Sequence, residues 1–226
     1  MLAAACTPSV PNCPQITHKE TNLTTIDYYF APQSPWTYLG HARLTEIARA
    51  AQAEVRVLPA DFGQVFAASG GLPLPKRAPQ RQAYRLQELA RFRDHLQLPL
   101  TVQPRFFPVA ADPSARLIVA VGLHDDMAAA MRLSGAVFAA VWAQERDIAS
   151  PEVLAELLAE CSLPAQRLDQ SLDAAVQAVY DANTRSALDA GVFGAPSYCV
   201  DGEIFWGQDR LDFLARKLKA SADASA

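Results

Sequence analysis

Two strand-like segments near the start of this chain lie one helix apart. Thr24 to Phe30 is rich in β-branched and aromatic residues, and Glu54 to Pro59 alternates in character. Between them, Thr37 to Gln52 repeats apolar residues at helical spacing. A strand, helix, strand unit of that length makes the two strands parallel and the crossover right-handed, so the chain must build an α/β sheet. The helix starts at Ser34-Pro35-Trp36-Thr37. A serine hydroxyl accepts from free backbone N–H groups there, and proline at the first helical position loses no hydrogen bond. Capping alone accounts for this pair. The same spot is electropositive, from the helix dipole and its unpaired N–H groups, and stabilises a thiolate or carboxylate.

From Asp61 to about Leu188 the chain is overwhelmingly helical, with candidate helices over 78–97, 113–125, 127–145, 151–161 and 166–190. Ser150-Pro151-Glu152 is a start signal and Gly191 a stop. Gly70 to Pro79 is too rich in proline for regular structure and reads as an extended loop of the kind that meets ligands. Ser197 to Val200 and Glu203 to Trp206, joined by Asp201-Gly202, read as a hairpin, and a last helix runs from about Asp209 to Leu218. The expected architecture is a small α/β domain, 23–61 and 190–219, interrupted by an all-α helical insertion over 62–189 that carries the ligand loop. Residues 1–22, with Pro8, Pro11 and Pro14, and the alanine-rich 220–226 read as disordered tails.

The chain has 226 residues, half of them hydrophobic and 19% charged, with a formal net charge of −4. That is enough for one compact domain with an insertion. The charge argues against a nucleic-acid binder, and no segment reaches the ~20 apolar residues needed to cross a bilayer. Cys6, Cys13, Cys161 and Cys199 show neither metal-ligand spacing nor a catalytic pair, and a reducing cytoplasm is the simpler setting. His18, His41, His95 and His124 are scattered, and no glycine pattern of a nucleophile elbow surrounds Ser34.

Three motifs in order, Phe30 to Leu39, Val192-Phe193-Gly194-Ala195-Pro196 and Trp206-Gly207-Gln208-Asp209-Arg210-Leu211, resemble the 2-hydroxychromene-2-carboxylate isomerase family. This is a glutathione-dependent branch of the group that holds kappa-class glutathione transferases and DsbA-like disulfide oxidases. The resemblance covers about residues 24 to 218. It implies a thioredoxin-like α/β domain with an inserted helical domain, and a cis bond at Ala195-Pro196. Ser34 and Thr37 stand where a redox relative carries Cys-x-x-Cys, so disulfide exchange is excluded and any sulfur must come from a ligand.

The resemblance also assigns roles. Ala195 would pair through its backbone with glutathione's cysteinyl residue, as in strand addition. Trp206, Gly207, Gln208 and Asp209 would hold the γ-glutamyl end, through free amides for its carboxylate and Asp209 for its amino group. Ser34, the expected catalytic residue, would donate its hydroxyl hydrogen to the sulfur and lower the thiol pKa. Lys76, with Arg77 and Arg81 near it in sequence, would face the substrate carboxylate, and Phe66, Ala67, Phe106 and Trp36 would line the substrate site. The implied substrate is an aromatic 2-oxo acid, isomerised by reversible thiol addition. A glutathione transferase consuming the thiol and a non-catalytic peptide binder are the competing readings, and a homodimer is left open.

Other residues carry plainer expectations. Trp36, Tyr38 and Leu39 fall at core spacing, as do Tyr84, Phe92 and Leu96. Arg85, Glu88, Arg91, Arg93 and Asp94 read as a solvated helix face of paired charges, and Cys199 as a buried strand residue.

Overall fold

A computed structural model describes residues 23–225, with side chains through 221, so the expected N-terminal tail lies outside the described residues. Strand β1 (Thr25–Phe30), helix α1 (Pro35–Ala50) and strand β2 (Glu54–Pro59) form the expected unit, with β1 and β2 parallel. Strands β3 (Ser197–Val200) and β4 (Glu203–Trp206) complete a four-stranded sheet of order β2-β1-β3-β4, both added antiparallel. Their turn uses Asp201 at φ 51° and Gly202 at φ 78°, the pair of positive angles a two-residue hairpin needs.

Between β2 and β3 come α2 (Phe62–Ser69), α3 (Pro79–Leu96), α4 (Asp112–His124), α5 (Met127–Trp142), α6 (Pro151–Glu160), α7 (Arg167–Gln170) and α8 (Ala174–Asp189). Four features depart from the sequence expectation. Helix α2 is additional, started by Asp61, whose carboxylate accepts the Gly63 amide at 2.8 Å, and ended by Gly70 at φ 75°. The proline-rich loop is not wholly irregular, because Leu74–Lys76 closes one 3-10 turn. The expected helix over 166–190 breaks between α7 and α8, where Arg167 is held on Asp125 at 2.8 Å and Asp173 turns extended at ψ 143°. The final helix α9 (Leu211–Ser225) also runs past Leu218, so the alanine-rich end read as a disordered tail is helical through Ser225.

The period-2 alternation of β1 divides the core. Ile26, Tyr28 and Phe30 join Leu39 and Leu44 of α1, Phe138 and Val141 of α5, and Leu214 and Leu218 of α9. Tyr29 points to the other face, with Phe62 and Val65 of α2 and Ala187 of α8. Glycine permits one close approach here: a Cβ at Gly40 would lie 2.7 Å from the Tyr198 hydroxyl and 2.9 Å from Gln208 Cβ, so α1 seats directly on β3 and the turn after β4. His41, half-buried on the same helix, donates from Nε2 to Met131 O at 3.1 Å and accepts from the Tyr28 hydroxyl at Nδ1, 3.4 Å away. Burial pushes its pKa down to about 4.

Candidate active site

Strand register brings the three sequence motifs to one end of the sheet. Tyr29 pairs with Ser197, so one residue further Phe30 comes level with Pro196, which is joined to Ala195 by a cis peptide. Ser197 in turn pairs with Trp206, and the Gly207 amide donates to Pro196 O at 2.9 Å. The end of β1, the entry of β3 and the end of β4 therefore lie side by side. The start of α1 closes this end, because the Ser34 amide donates back to Ala31 O at 2.9 Å.

Ser34 is the cap of α1, with φ −76° and ψ 124°. Its Oγ accepts the Thr37 amide at 3.3 Å, and among the described residues its hydroxyl hydrogen has no acceptor. Pro35 has no amide hydrogen and Tyr38 donates to Ser34 O, which leaves the Trp36 amide free in the first turn. Thr37, at the second position of the absent cysteine pair, is fully buried with an unpartnered hydroxyl. The arrangement offers one hydroxyl donor and one amide at a positive helix end, which suits a thiolate.

Ala195 is half-buried, and among the described residues its backbone N–H and C=O form no hydrogen bond. An extended peptide can use both. Phe193 and Trp206, 44% and 50% exposed, stand edge to face at 4.8 Å beside it. A Cβ on Gly194 would fall 2.8 Å from Trp206 Cε2, so glycine is what lets the indole lie across this loop.

The turn after β4 differs in part from expectation. The Gly207 amide, expected to face a ligand, is spent on Pro196, and Gly207 sits at φ 98°. The Gln208 side chain is buried against α1, where its Oε1 and backbone O both face Arg43 Nη1, at 3.4 and 3.3 Å. The amides of Gln208 and Asp209 remain without partners among the described residues. Asp209 is exposed and paired with Arg210 at 2.7 Å.

Of the remaining expected residues, Trp36 lies on α1 and the others spread along the insertion. Trp36 packs edge-on against Phe92 of α3 at 6.0 Å. Phe66 is half-buried in α2 and belongs to the cluster that includes Ala31 and Ala195, whereas Ala67 beside it is exposed. Lys76 is exposed and has no ion pair among the described residues. Phe106 lies under the Arg105 guanidinium, 5.1 Å from its ring centroid. Its neighbour Phe107, joined to Pro108 by a second cis bond, is the one that packs on the core, 4.9 Å from the buried Trp142.

Two arginines of this region also lie on aromatic rings. Arg77 lies over the Phe66 ring at 5.8 Å, and Arg85 lies over Phe107 at 5.0 Å and Trp142 at 5.7 Å. Arg85 is therefore not on the solvated face assigned to it. Glu88 with Arg91 and Arg93 with Asp94 do form exposed pairs. The signal for Arg85 was its spacing from Leu89 and Phe92, which puts it on the apolar stripe of α3. Cys199 is buried, and burial pushes its thiol up to about 11, far from a reactive thiolate. Two open clefts lie away from Ser34 and Ala195. One of about 570 Å3 borders Thr25, Asp27, Glu54 and Arg56 at the far end of β1, and one of about 450 Å3 borders His41, Val55, Met127 and Met131.

The DSBA-like thioredoxin domain description matches residues 25–219. The chain belongs to the DsbA-like thioredoxin family. Within it, the chain falls in the group of the 2-hydroxychromene-2-carboxylate isomerases. It is 30% identical over 192 residues to a protein of that name from Sphingobium xenophagum, spanning 84% of this chain and 95% of the relative. It is 25% identical over 207 residues to human glutathione S-transferase kappa 1, spanning 86% and 90%. A solved 2-hydroxychromene-2-carboxylate isomerase superimposes with a TM-score of 0.73 at 25% identity, over 89% of this chain and 100% of the other. At both positions of the expected redox pair this chain has hydroxyls, Ser34 and Thr37.

Proposed function

We propose that this DsbA-like protein is a glutathione-dependent isomerase of aromatic 2-oxo acids, such as 2-hydroxychromene-2-carboxylate and its ring-opened benzylidenepyruvate. The observation that carries the reading is the Ser34 hydroxyl hydrogen without an acceptor, at a helix N-terminus and at the same end of the sheet as the unpaired backbone of Ala195. Glutathione is a short extended peptide with one thiol, and it fits that donor set. When bound, it supplies a thiol that adds reversibly to the substrate double bond, permits rotation and leaves unchanged.

The chain's own residues do the rest. Ala195 N–H and C=O hold the extended peptide, and the Gln208 and Asp209 amides, with the Asp209 carboxylate, receive its charged γ-glutamyl end. Ser34 donates one hydrogen bond to sulfur, and the α1 dipole adds to it, so the anionic form is favoured near neutral pH. The hydroxyl keeps its proton, because an alkyl alcohol is a far weaker acid than a thiol. Phe66, Trp36 and Phe107, each half-buried, supply apolar walls.

The test is purified protein with glutathione and 2-hydroxychromene-2-carboxylate. The expected result is approach to the isomer equilibrium with the free thiol constant over time. Loss of thiol would favour a conjugating transferase, a reading that similarity to the human kappa-class enzyme keeps in view. No turnover and no calorimetric binding at millimolar glutathione would end the proposal.

A further inference from the structure

Arg85 presents a guanidinium with a missing partner. Its Nη2 is buried without a hydrogen bond, and so is Nε1 of Trp142, the ring against which Arg85 packs. Both atoms are donors only, so the absent group is an acceptor. Among the described residues no carboxylate pairs with Arg77, Arg81 or Arg85. The three follow at intervals of four: Arg77 is pushed down by burial and then by Arg81, and Arg85 by burial and then by Arg77, to about 10. An exposed arginine meets this situation with water. One packed over Phe107 and Trp142 cannot do so fully, and a buried charge left unpaired is costly.

Contacts tie this cationic row to the active site from two sides. Seven residues along α3 from Arg85, Phe92 meets Trp36, two residues after Ser34. Four residues before Trp142 on α5, Phe138 meets Phe30 at 5.2 Å, just before the Ala31 turn. At the other end, Arg77 lies on Phe66, whose cluster contains Ala31 and Ala195.

We propose that Arg85 is the specificity-determining residue for an anionic aromatic ligand, taking its carboxylate on the shelf of half-buried Phe107, beneath which Trp142 is fully buried, with Arg77 as the second cation. This places the carboxylate contact at Arg85 and not at exposed Lys76, and it rests on the reading of the site as one for an aromatic 2-oxo acid. The chemistry fits the residue: a planar fork stacked on aromatic faces is held in one orientation and takes a carboxylate through two parallel hydrogen bonds. The ring of the same ligand meets the aromatic walls.

The test uses trans-cinnamate and its neutral amide, with calorimetry on the full chain, and needs no turnover. The wild type should prefer the carboxylate by about tenfold or more, the equivalent of one charge-assisted hydrogen bond. Arg85→Met should abolish that preference while leaving the glutathione dissociation constant in place. Arg85→Gln, which keeps a planar polar head on the shelf, should abolish it too and serves if the first variant does not fold. An equal affinity of the wild type for both probes, an undiminished preference in either variant, or its loss in Lys76→Met instead, overturns the proposal. A wild type that prefers cinnamate but binds no glutathione would leave Arg85 in its role and remove the glutathione reading alone.

Discussion

Ser34 Oγ and the Thr37 amide, 3.3 Å apart, form the cap of α1, and the bond uses the serine as acceptor only. The same side chain can therefore start the helix and donate to a ligand without giving up either task. Ser34→Ala removes both. Loss of the cap should lower stability by about 1 kcal/mol, read by denaturant unfolding. Loss of the donor should move the acidic limb of the pH–rate profile for glutathione-dependent turnover, where the thiolate is lost, upward by about 1 to 2 pH units. A profile that stays in place would refute the activating role.

The seat of the turn after β4 on α1 is the second expectation. Arg43 joins Gln208, through both carbonyl oxygens, and Asp212 at 2.9 Å. Arg43→Ala should loosen the turn that presents the Gln208 and Asp209 amides. Glutathione affinity should fall roughly three- to tenfold, as for one lost hydrogen bond, with little change in turnover at saturation. Titration calorimetry reads this directly, and an unaltered affinity would separate the turn from ligand binding.

Gly194→Ala places a methyl group inside the Trp206 indole. The indole is half exposed and can swing outward, so the fold should persist. The Phe193–Trp206 contact at 4.8 Å should break, with a red shift in indole emission and weaker glutathione binding. Unchanged emission and affinity would show that the Phe193–Trp206 pair is not part of the site.

His41 sets a pH dependence of stability. Its pKa in the folded protein is about 4, below the 6.5 of the free group, because burial disfavours the cation. The unfolded chain therefore binds the extra proton between about pH 4 and 6.5. Stability from this site is complete above pH 6.5 and falls as the pH drops through that window, at most about 1.4 kcal/mol per pH unit. His41→Phe should flatten the slope of unfolding free energy against pH in that range. A slope identical to the wild type would assign it to other groups.

The order of elements was legible because each is announced locally. β1 carries β-branched and aromatic residues, Ser34-Pro35 opens α1, and Asp201-Gly202 makes the only turn that could join β3 and β4 tightly. Ser34 and Ala195-Pro196 were identifiable for the same reason: a cap and a pre-strand proline are sequence-local events. Helix α2 was missed although Asp61 and Gly70 signal its ends, because a proline-dense loop follows at once and only packing of Phe62 and Val65 under the sheet makes so short a helix stable.

By itself, then, the sequence determined a parallel strand pair with a capped helix between, a helical insertion, a closing hairpin, and hydroxyls in place of a redox pair. Tertiary structure alone decided which polar groups face a ligand. Gln208 turned inward because Gly40 lets α1 come close enough for Arg43 to grip it. Arg85 turned inward because α5 ends at Trp142 and the chain before α4 sets Phe107 beside it, a meeting of residues 57 positions apart in sequence. Spacing along a chain reports what neighbours on one element share. The desolvation of a charge depends on what distant elements place around it, and no local pattern carries that.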